Sequence, residues 1–297
     1  WRRADEERRA AVKRMKRREF IKYAAGLPVG VLLGKYAWLP FTLRNEEGIR
    51  QGVEKKDKAW VADGLGTQAN RRNKFTLVID AGACIGCRSC QWGCKEENNI
   101  PDVIAPPWIE IFELTAKEGF MGHASIEELK EGATTAYTRS PSEGKWYLAV
   151  QCQHCDNPPC VKVCPVGATY KDRDGFVLMD YDRCIGCRIC VVACPYSARR
   201  FNWLPGTLPP DKVNPLVPVR YMGVVEKCTF CVHRVRRGEL PRCVEVCPVR
   251  ARHFGDLNDP QSEVSTLLKA EMGSQLLAEL NTKPSIWYVK RGKKWLP

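Results

Sequence analysis

The sequence lacks the usual marks of a self-sufficient enzyme. It has no glycine-rich phosphate loop, no nucleophile–histidine–acid pattern and no substrate-pocket signature. It lacks an apolar run long enough to span a bilayer on its own. The longest candidate, residues 23–34, covers 12 positions, against about 20 for a spanning helix. It is short of acid: Lys and Arg number 47 and Asp and Glu 34, a formal charge of +13. It also lacks a stray cysteine. A chain using cysteine as a small core hydrophobe scatters some of them, whereas all 16 here fall into four groups of four.

The groups are Cys84, Cys87, Cys90 and Cys94; Cys152, Cys155, Cys160 and Cys164; Cys184, Cys187, Cys190 and Cys194; and Cys228, Cys231, Cys243 and Cys247. The first and third read C-x2-C-x2-C-x3-C. In that spacing three thiolates hold one [4Fe-4S] cluster and the fourth reaches a different one. A proline follows the last cysteine in three groups (Pro165, Pro195, Pro248), and the first group departs from this with Lys95. Structural zinc takes four ligands at one tetrahedral site, typically from two well-separated pairs. Only the fourth group, C-x2-C-x11-C-x3-C, suits that alternative. Disulfides suit small, loop-rich scaffolds, which this chain is not.

The groups repeat. DAGACIGCRSCQWGC at residues 80–94 aligns with DYDRCIGCRICVVAC at residues 180–194, an offset of 100, and PPCVKVCPVGA from Pro158 resembles LPRCVEVCPVRA from Leu240. The order is a-b-a-b, and a two-cluster unit needs one of each. Groups two and three, joined by a short stretch with a turn at Asp174-Gly175 and a strand-like FVLMD, are expected to form an inner unit. Groups one and four are left to form an outer unit around it. Four clusters follow: Cys84, Cys87, Cys90 with Cys247; Cys228, Cys231, Cys243 with Cys94; Cys152, Cys155, Cys160 with Cys194; and Cys184, Cys187, Cys190 with Cys164.

The stretches KFTLVIDAGACIGCRSCQWGC, QCQHCDNPPCVKVCP, RCIGCRICVVACPY and EKCTFCVHRVRRGELPRCVEVCP resemble the four-cluster ferredoxin subunit of membrane-associated respiratory complexes. Relatives of that kind serve dimethyl sulfoxide, tetrathionate and polysulfide reductases, nitrite-reductase systems and alternative complex III. The resemblance covers residues 74–259. It implies an α+β polyferredoxin of two pseudosymmetric two-cluster units, one nested in the other. It also implies a wire between a catalytic subunit, of molybdopterin or multihaem type, and a polytopic quinone-reactive membrane subunit. No small-molecule substrate of its own is expected. A zinc-structured scaffold without redox function is the rival from another class.

The charge balance fits buried anions. A [4Fe-4S] core with four thiolates carries about −2, so four bring about −8, leaving roughly +5 of the formal +13. Nucleic-acid binding is not expected, since no recognition motif accompanies the basic residues. A cluster-free chain is expected to be poorly structured, because metal binding and folding are coupled.

Residues 1–43 read as a basic helix and a twin-arginine export signal carried by Arg17, Arg18, Phe20 and Lys22, R-R-x-F-I-K. The logic is mechanistic: clusters are inserted in the cytoplasm, so the protein crosses the membrane folded, to the periplasmic face. No small-x-small cleavage site follows Gly34, so the signal is expected to be retained, and the missing initiator Met suggests that the first residues are absent from this chain. Residues 44–73 read as a linker. The outer unit is expected over 74–110 and 221–260, an insertion over 111–145 and the inner unit with a proline-rich crossover over 146–220. In the insertion Ser125, Glu128 and Gly132 mark a short capped helix, and the segment either touches a partner or covers a cluster. The last part, 261–297, is expected to hold a helix from Asp259-Pro260 with Val264, Leu267, Leu268 and Met272 on one face, the strand SIWYV and a basic tail. His154 and His233 sit inside cysteine loops and are expected to be structural. Ile85 and Ile185 are expected to shield clusters from water.

Overall fold

The computed structural model describes residues 73–101, 107–115, 136, 140–206 and 208–291. All belong to the second of two compact units in the chain, Lys58–Pro297. The expected export signal, linker and Ser125 helix lie outside the described residues.

Short helices alternate with small sheets, an α+β arrangement. Strand β1 (Phe75–Asp80) is the middle of a three-stranded sheet, antiparallel to β8 (Arg252–Asp256) and parallel to β9 (Ile286–Val289). Its continuous apolar run reflects cover on both faces: Leu77, Val78 and Ile79 are all buried. Strands β2 (Glu110–Thr115) and β3 (Lys145–Val150) form an antiparallel hairpin, as do β4 (Thr169–Lys171) with β5 (Val177–Met179) and β6 (Arg200–Phe201) with β7 (Val225–Glu226).

The helices are short for a reason visible in sequence. Helix α1 (Ser89–Glu97) has Lys95 after its last cysteine and runs nine residues. Helices α2 (Pro159–Lys162), α3 (Ile189–Val192) and α5 (Arg242–Glu245) stop after four residues, because a following proline disfavours helical geometry in the residue before it. Helix α4 (Val232–Val235) is equally short. Helix α1 packs on α5, and α2 on α3. Gly93 permits the first approach, since a Cβ there would sit 2.9 Å from Val246 Cγ2.

Two expectations change. The boundary at residue 111 falls inside β2, whose Ile111, Phe112 and Leu114 are buried with Trp108 and Ile109. This segment is core, because Ile111, Phe112 and Leu114 pair with the buried Ala149, Leu148 and Trp146 of β3; residues 116–135 lie outside the described residues. Helix α6 spans Glu263–Ala270 and is capped by Ser262, whose Oγ accepts from the Ser265 N–H at 3.2 Å. Asp259-Pro260 forms the turn before it, with Asp259 Oδ1 accepting from the Gln261 N–H. Val264 and Leu267 are buried, but Met272 is 96% exposed. The helix has already ended there, so that Ser274 can pair with Tyr288.

One aromatic cluster binds the segments together. Phe75 stacks on Phe176 at 5.3 Å and on Phe254 at 5.6 Å, and Phe230 reaches Phe176, Phe254 and the His154 ring. Phe176 is fully buried at the start of the β5 segment and joins it to β1 and to the Cys228 loop. Phe176→Ala is expected to cost about 3–5 kcal/mol. A lowered midpoint for thermal bleaching of the holoprotein checks this; an unchanged midpoint would contradict it.

Candidate metal centres

The two C-x2-C-x2-C-x3-C loops are built alike. Asp80 Oδ1 accepts from the Ala83 N–H at 3.2 Å, and Asp180 Oδ1 accepts from the Asp182 and Arg183 N–H groups at 3.1 and 3.2 Å, so each aspartate braces the turn before its first cysteine. Gly86 and Gly186 take φ of 71° and 67°, which glycine adopts without penalty. A Cβ at Gly86 would enter the Tyr147 ring, and one at Gly186 would strike the Gly223 carbonyl. Arg88 and Arg188 then turn the chain left-handed and start α1 and α3. The other two groups are alike as well. Pro158 and Pro241 cap helices α2 and α5, and β4 and β8 each begin five residues after the last cysteine.

All 16 thiols are free of disulfides. Their surroundings show which thiols lie near one another. A cleft of about 360 Å³ is lined by Cys84, Cys87, Cys90 and Cys247, and one of about 300 Å³ by Cys164, Cys184, Cys187 and Cys190. Burial, then the charges of Cys228, Cys231, Cys243 and Cys90, holds the Cys94 thiol well above its ordinary range. Burial raises Cys155, reinforced by Cys152 and Cys160, opposed by a hydrogen bond from Thr282, and reinforced again by Cys194. Burial pushes Cys90 up to about 12, opposed by Arg252 and reinforced by Cys243, Cys84 and Cys247. Cys164 goes the other way: its modest burial is outweighed by backbone N–H groups from Val166 to Thr169, which favour the thiolate.

Several groups around the thiols carry no signal in the sequence. Because α1 runs on past Cys94, Asn98 Nδ2 donates to the Cys94 carbonyl at 2.9 Å and lies 3.7 and 3.8 Å from the Cys94 and Cys231 sulfurs. Glu97 bonds His233 Nε2 at 2.7 Å and Arg234 Nη1 at 3.0 Å, tying α1 to α4. Asn99 Nδ2 donates to the Asn214 and Val217 carbonyls, holding the crossover. His154 is a brace between cysteine groups: the Val177 N–H donates to Nδ1, which leaves Nε2–H to donate to the Cys228 carbonyl at 2.9 Å. Burial and the nearby Lys227 hold its ring well below the ordinary histidine range, hence neutral. Ile85 and Ile185 line the two clefts, although Ile185 is 64% exposed.

The donor set fits [4Fe-4S] clusters better than single ions. Among the described residues, no three His, Cys, Asp or Glu side chains converge as one metal ion requires, and zinc–sulfur bonds of about 2.3 Å demand such convergence. A cubane holds its four cysteines further apart. N–H groups aimed at sulfur suit it too: Phe230 donates toward Cys228 Sγ at 3.4 Å and Ala251 toward Cys247 Sγ at 3.3 Å. Gly86→Ala is expected to abolish the cluster signal nearest Cys87 while leaving that nearest Cys187. Gly186→Ala should do the reverse. Retention of all signals in both variants would show that the loops tolerate a side chain.

The 4Fe-4S dicluster domain model matches residues 145–209 and 216–257. A protein of Halobacterium salinarum named as a dimethyl sulfoxide reductase iron–sulfur subunit is 44% identical over 225 residues, covering 74% of this chain and 82% of its own length. The Hdr-like menaquinol oxidoreductase iron–sulfur subunit 1 of Archaeoglobus fulgidus is 35% identical over 252 residues, covering 76% and 86%. The iron–sulfur cluster-binding subunit of the menaquinone reductase of Nitratidesulfovibrio vulgaris is 37% identical over 252 residues, covering 75% and 91%. The loops, the paired cysteine groups and these likenesses agree: the protein belongs to the [4Fe-4S] iron–sulfur subunit family of oxidoreductase complexes, and its cofactors are four [4Fe-4S] clusters.

Proposed function

We propose that the chain is the electron wire of a membrane-associated respiratory complex and not a catalyst by itself. It relays single electrons between a molybdopterin-type catalytic subunit and a polytopic quinone-reactive subunit. When bound, each cluster supplies a one-electron couple whose potential the protein tunes. The chain's own residues hold the thiols in a row and keep water from the middle of it.

The observation that carries this reading is the order of the four sets. Helix α1, with Cys90, packs on α5, with Cys243; His154 of the Cys152 loop bonds the Cys228 carbonyl at 2.9 Å; and α2, with Cys160, packs on α3, with Cys190. The row therefore runs from the Cys84 loop, through the Cys228 and Cys152 groups, to the Cys184 loop. Cys87 and Cys187, at its two ends, are the exposed cysteines, whereas seven of the eight middle cysteines are buried. This supports one two-cluster unit from groups two and three nested with another from groups one and four. Around Cys187, Ile185, Ile189, Val192, Trp203 and Met222 are exposed, and Trp92 is exposed at the other end. Apolar surface of this extent marks contact with partners. No helix of the described residues is long and apolar enough to cross a membrane. Export through Arg17, Arg18, Phe20 and Lys22 to the periplasmic face accords with a protein that must be loaded before it crosses.

Two tests follow. Gentle oxygen-free solubilisation and purification through this chain should bring along a large catalytic protein and a polytopic one. A multihaem cytochrome would replace the molybdopterin assignment, and a lone brown protein would end the subunit reading. Cys94→Ala should remove the cluster of Cys228, Cys231 and Cys243 and spare that of Cys84, Cys87 and Cys90. Spin quantitation of the reduced protein reads this, and loss confined to the Cys84 cluster would contradict the nested assignment.

A further inference from the structure

Among the described residues, four cationic side chains lie deep in the molecule: Arg199, Arg220, Lys227 and Arg252. Arg220 has a carboxylate partner, Glu226 at 3.0 Å. Arg199, Lys227 and Arg252 are equally buried and, among the described residues, have none. Lys227 Nζ donates to the Val177 and Cys228 carbonyls. Arg199 gives its amino groups to Thr169 Oγ1 at 2.7 Å and Met179 Sδ at 3.2 Å. Arg252 makes one such bond, to Gln151 Oε1 at 2.7 Å. Its Nε and Nη1 have no partner, although the side chain is only 4% exposed and lines the cleft with Cys84, Cys87, Cys90 and Cys247.

Arg252 begins β8 opposite Ile79, five residues after Cys247. Arg199 stands five residues after Cys194. An arginine stands toward each end of the row, Arg252 beside Cys243 and Cys90 and Arg199 beside Cys160 and Cys190, although the repeat places Thr169 and Asn99 at the equivalent positions. Arginine cannot shed its proton in a protein, and a buried donor left unpaired is strongly unfavourable. The charged groups nearest Arg252 are the thiols of Cys243, Cys90 and Cys84, and Cys84 and Cys90 line the same cleft.

We propose that Arg252 is the fixed counter-ion and N–H donor of the cluster held by Cys84, Cys87, Cys90 and Cys247, and that it raises that cluster's reduction potential. The inference rests on the proposed cysteine assignment. Reduction adds one negative charge to the site, so a fixed cation with free N–H groups favours the reduced form. Arg199 acts at the opposite end, where its donors are already partly engaged.

The test is a potentiometric titration of the full chain in its complex, followed by electron paramagnetic resonance. Arg252→Met should shift the oxidised-to-reduced ratio of one cluster at least tenfold toward oxidised at fixed potential, about 59 mV for a one-electron couple. Arg252→Lys should recover most of the shift, and Arg199→Met should leave that cluster in place while moving another. Iron and sulfide are counted on the same samples. Full content with unmoved midpoints would overturn the role of Arg252 while leaving the wire intact; a normal Arg252 effect with Cys94→Ala sparing its expected cluster would overturn the assignment instead. If Arg252→Met loses iron, the unsubstituted protein decides. Nitrogen-15 arginine should then give a hyperfine coupling to one cluster that Arg252→Lys removes, and its absence in the unsubstituted protein would overturn the proposal.

Discussion

Buried negative charge is the constraint on which the structure depends. Four cluster sites of about −2 each sit in a molecule whose interior holds Arg199, Lys227 and Arg252 without a carboxylate partner among the described residues. An isolated buried charge of either sign is costly. Here the cations and the thiolates compensate one another, and neither set is tolerable alone. The thiols make the same point from the other side. Burial raises Cys90, Cys94, Cys155 and Cys228, so without metal they would stay protonated. With clusters bound, these thiols would be held as thiolates and would supply the anions that the buried cations need, the route by which loading would be coupled to folding.

The segments are locked by ties that cross between cysteine groups. His154 joins the Cys152 loop to the Cys228 carbonyl and to β5, and Phe176 packs between β1 and the Cys228 loop. Helix α1, released by Lys95 where the other groups have proline, carries Glu97 to His233 and Arg234 and Asn98 to the Cys231 sulfur. The Arg220–Glu226 pair fixes the crossover beneath Trp108 and Tyr181. A relay needs such rigidity, since its sites must keep their spacing while their charge changes.

Much of this was legible in the sequence. Cysteine spacing reports ligand geometry directly, because the chain must turn at fixed intervals to present thiols to one cluster. The strands at 75–80 and 286–289 carry apolar and aromatic runs bounded by turn residues, and the crossover announces itself through proline. The β2–β3 hairpin was not legible. Its strands are separated by about thirty residues without a repeat, and EIFELT reads as half polar until Trp108, Ile109 and the β3 face are seen to cover it. Asn98, Glu97 and Arg252 were equally silent. A polar residue's role here depends on which sulfur lies opposite in space, and no local pattern encodes that. The end of α6 was misplaced because the apolar spacing continues through Met272 while the backbone has already turned toward β9.

The most direct measurement is a count of iron and acid-labile sulfide in the full chain purified without oxygen, beside its absorption spectrum. The account predicts about sixteen of each per chain, four per cysteine set, with broad absorption in the blue that disappears as the fold is lost. Zinc in place of iron, or iron without matching sulfide in a chain that remains folded, would contradict it.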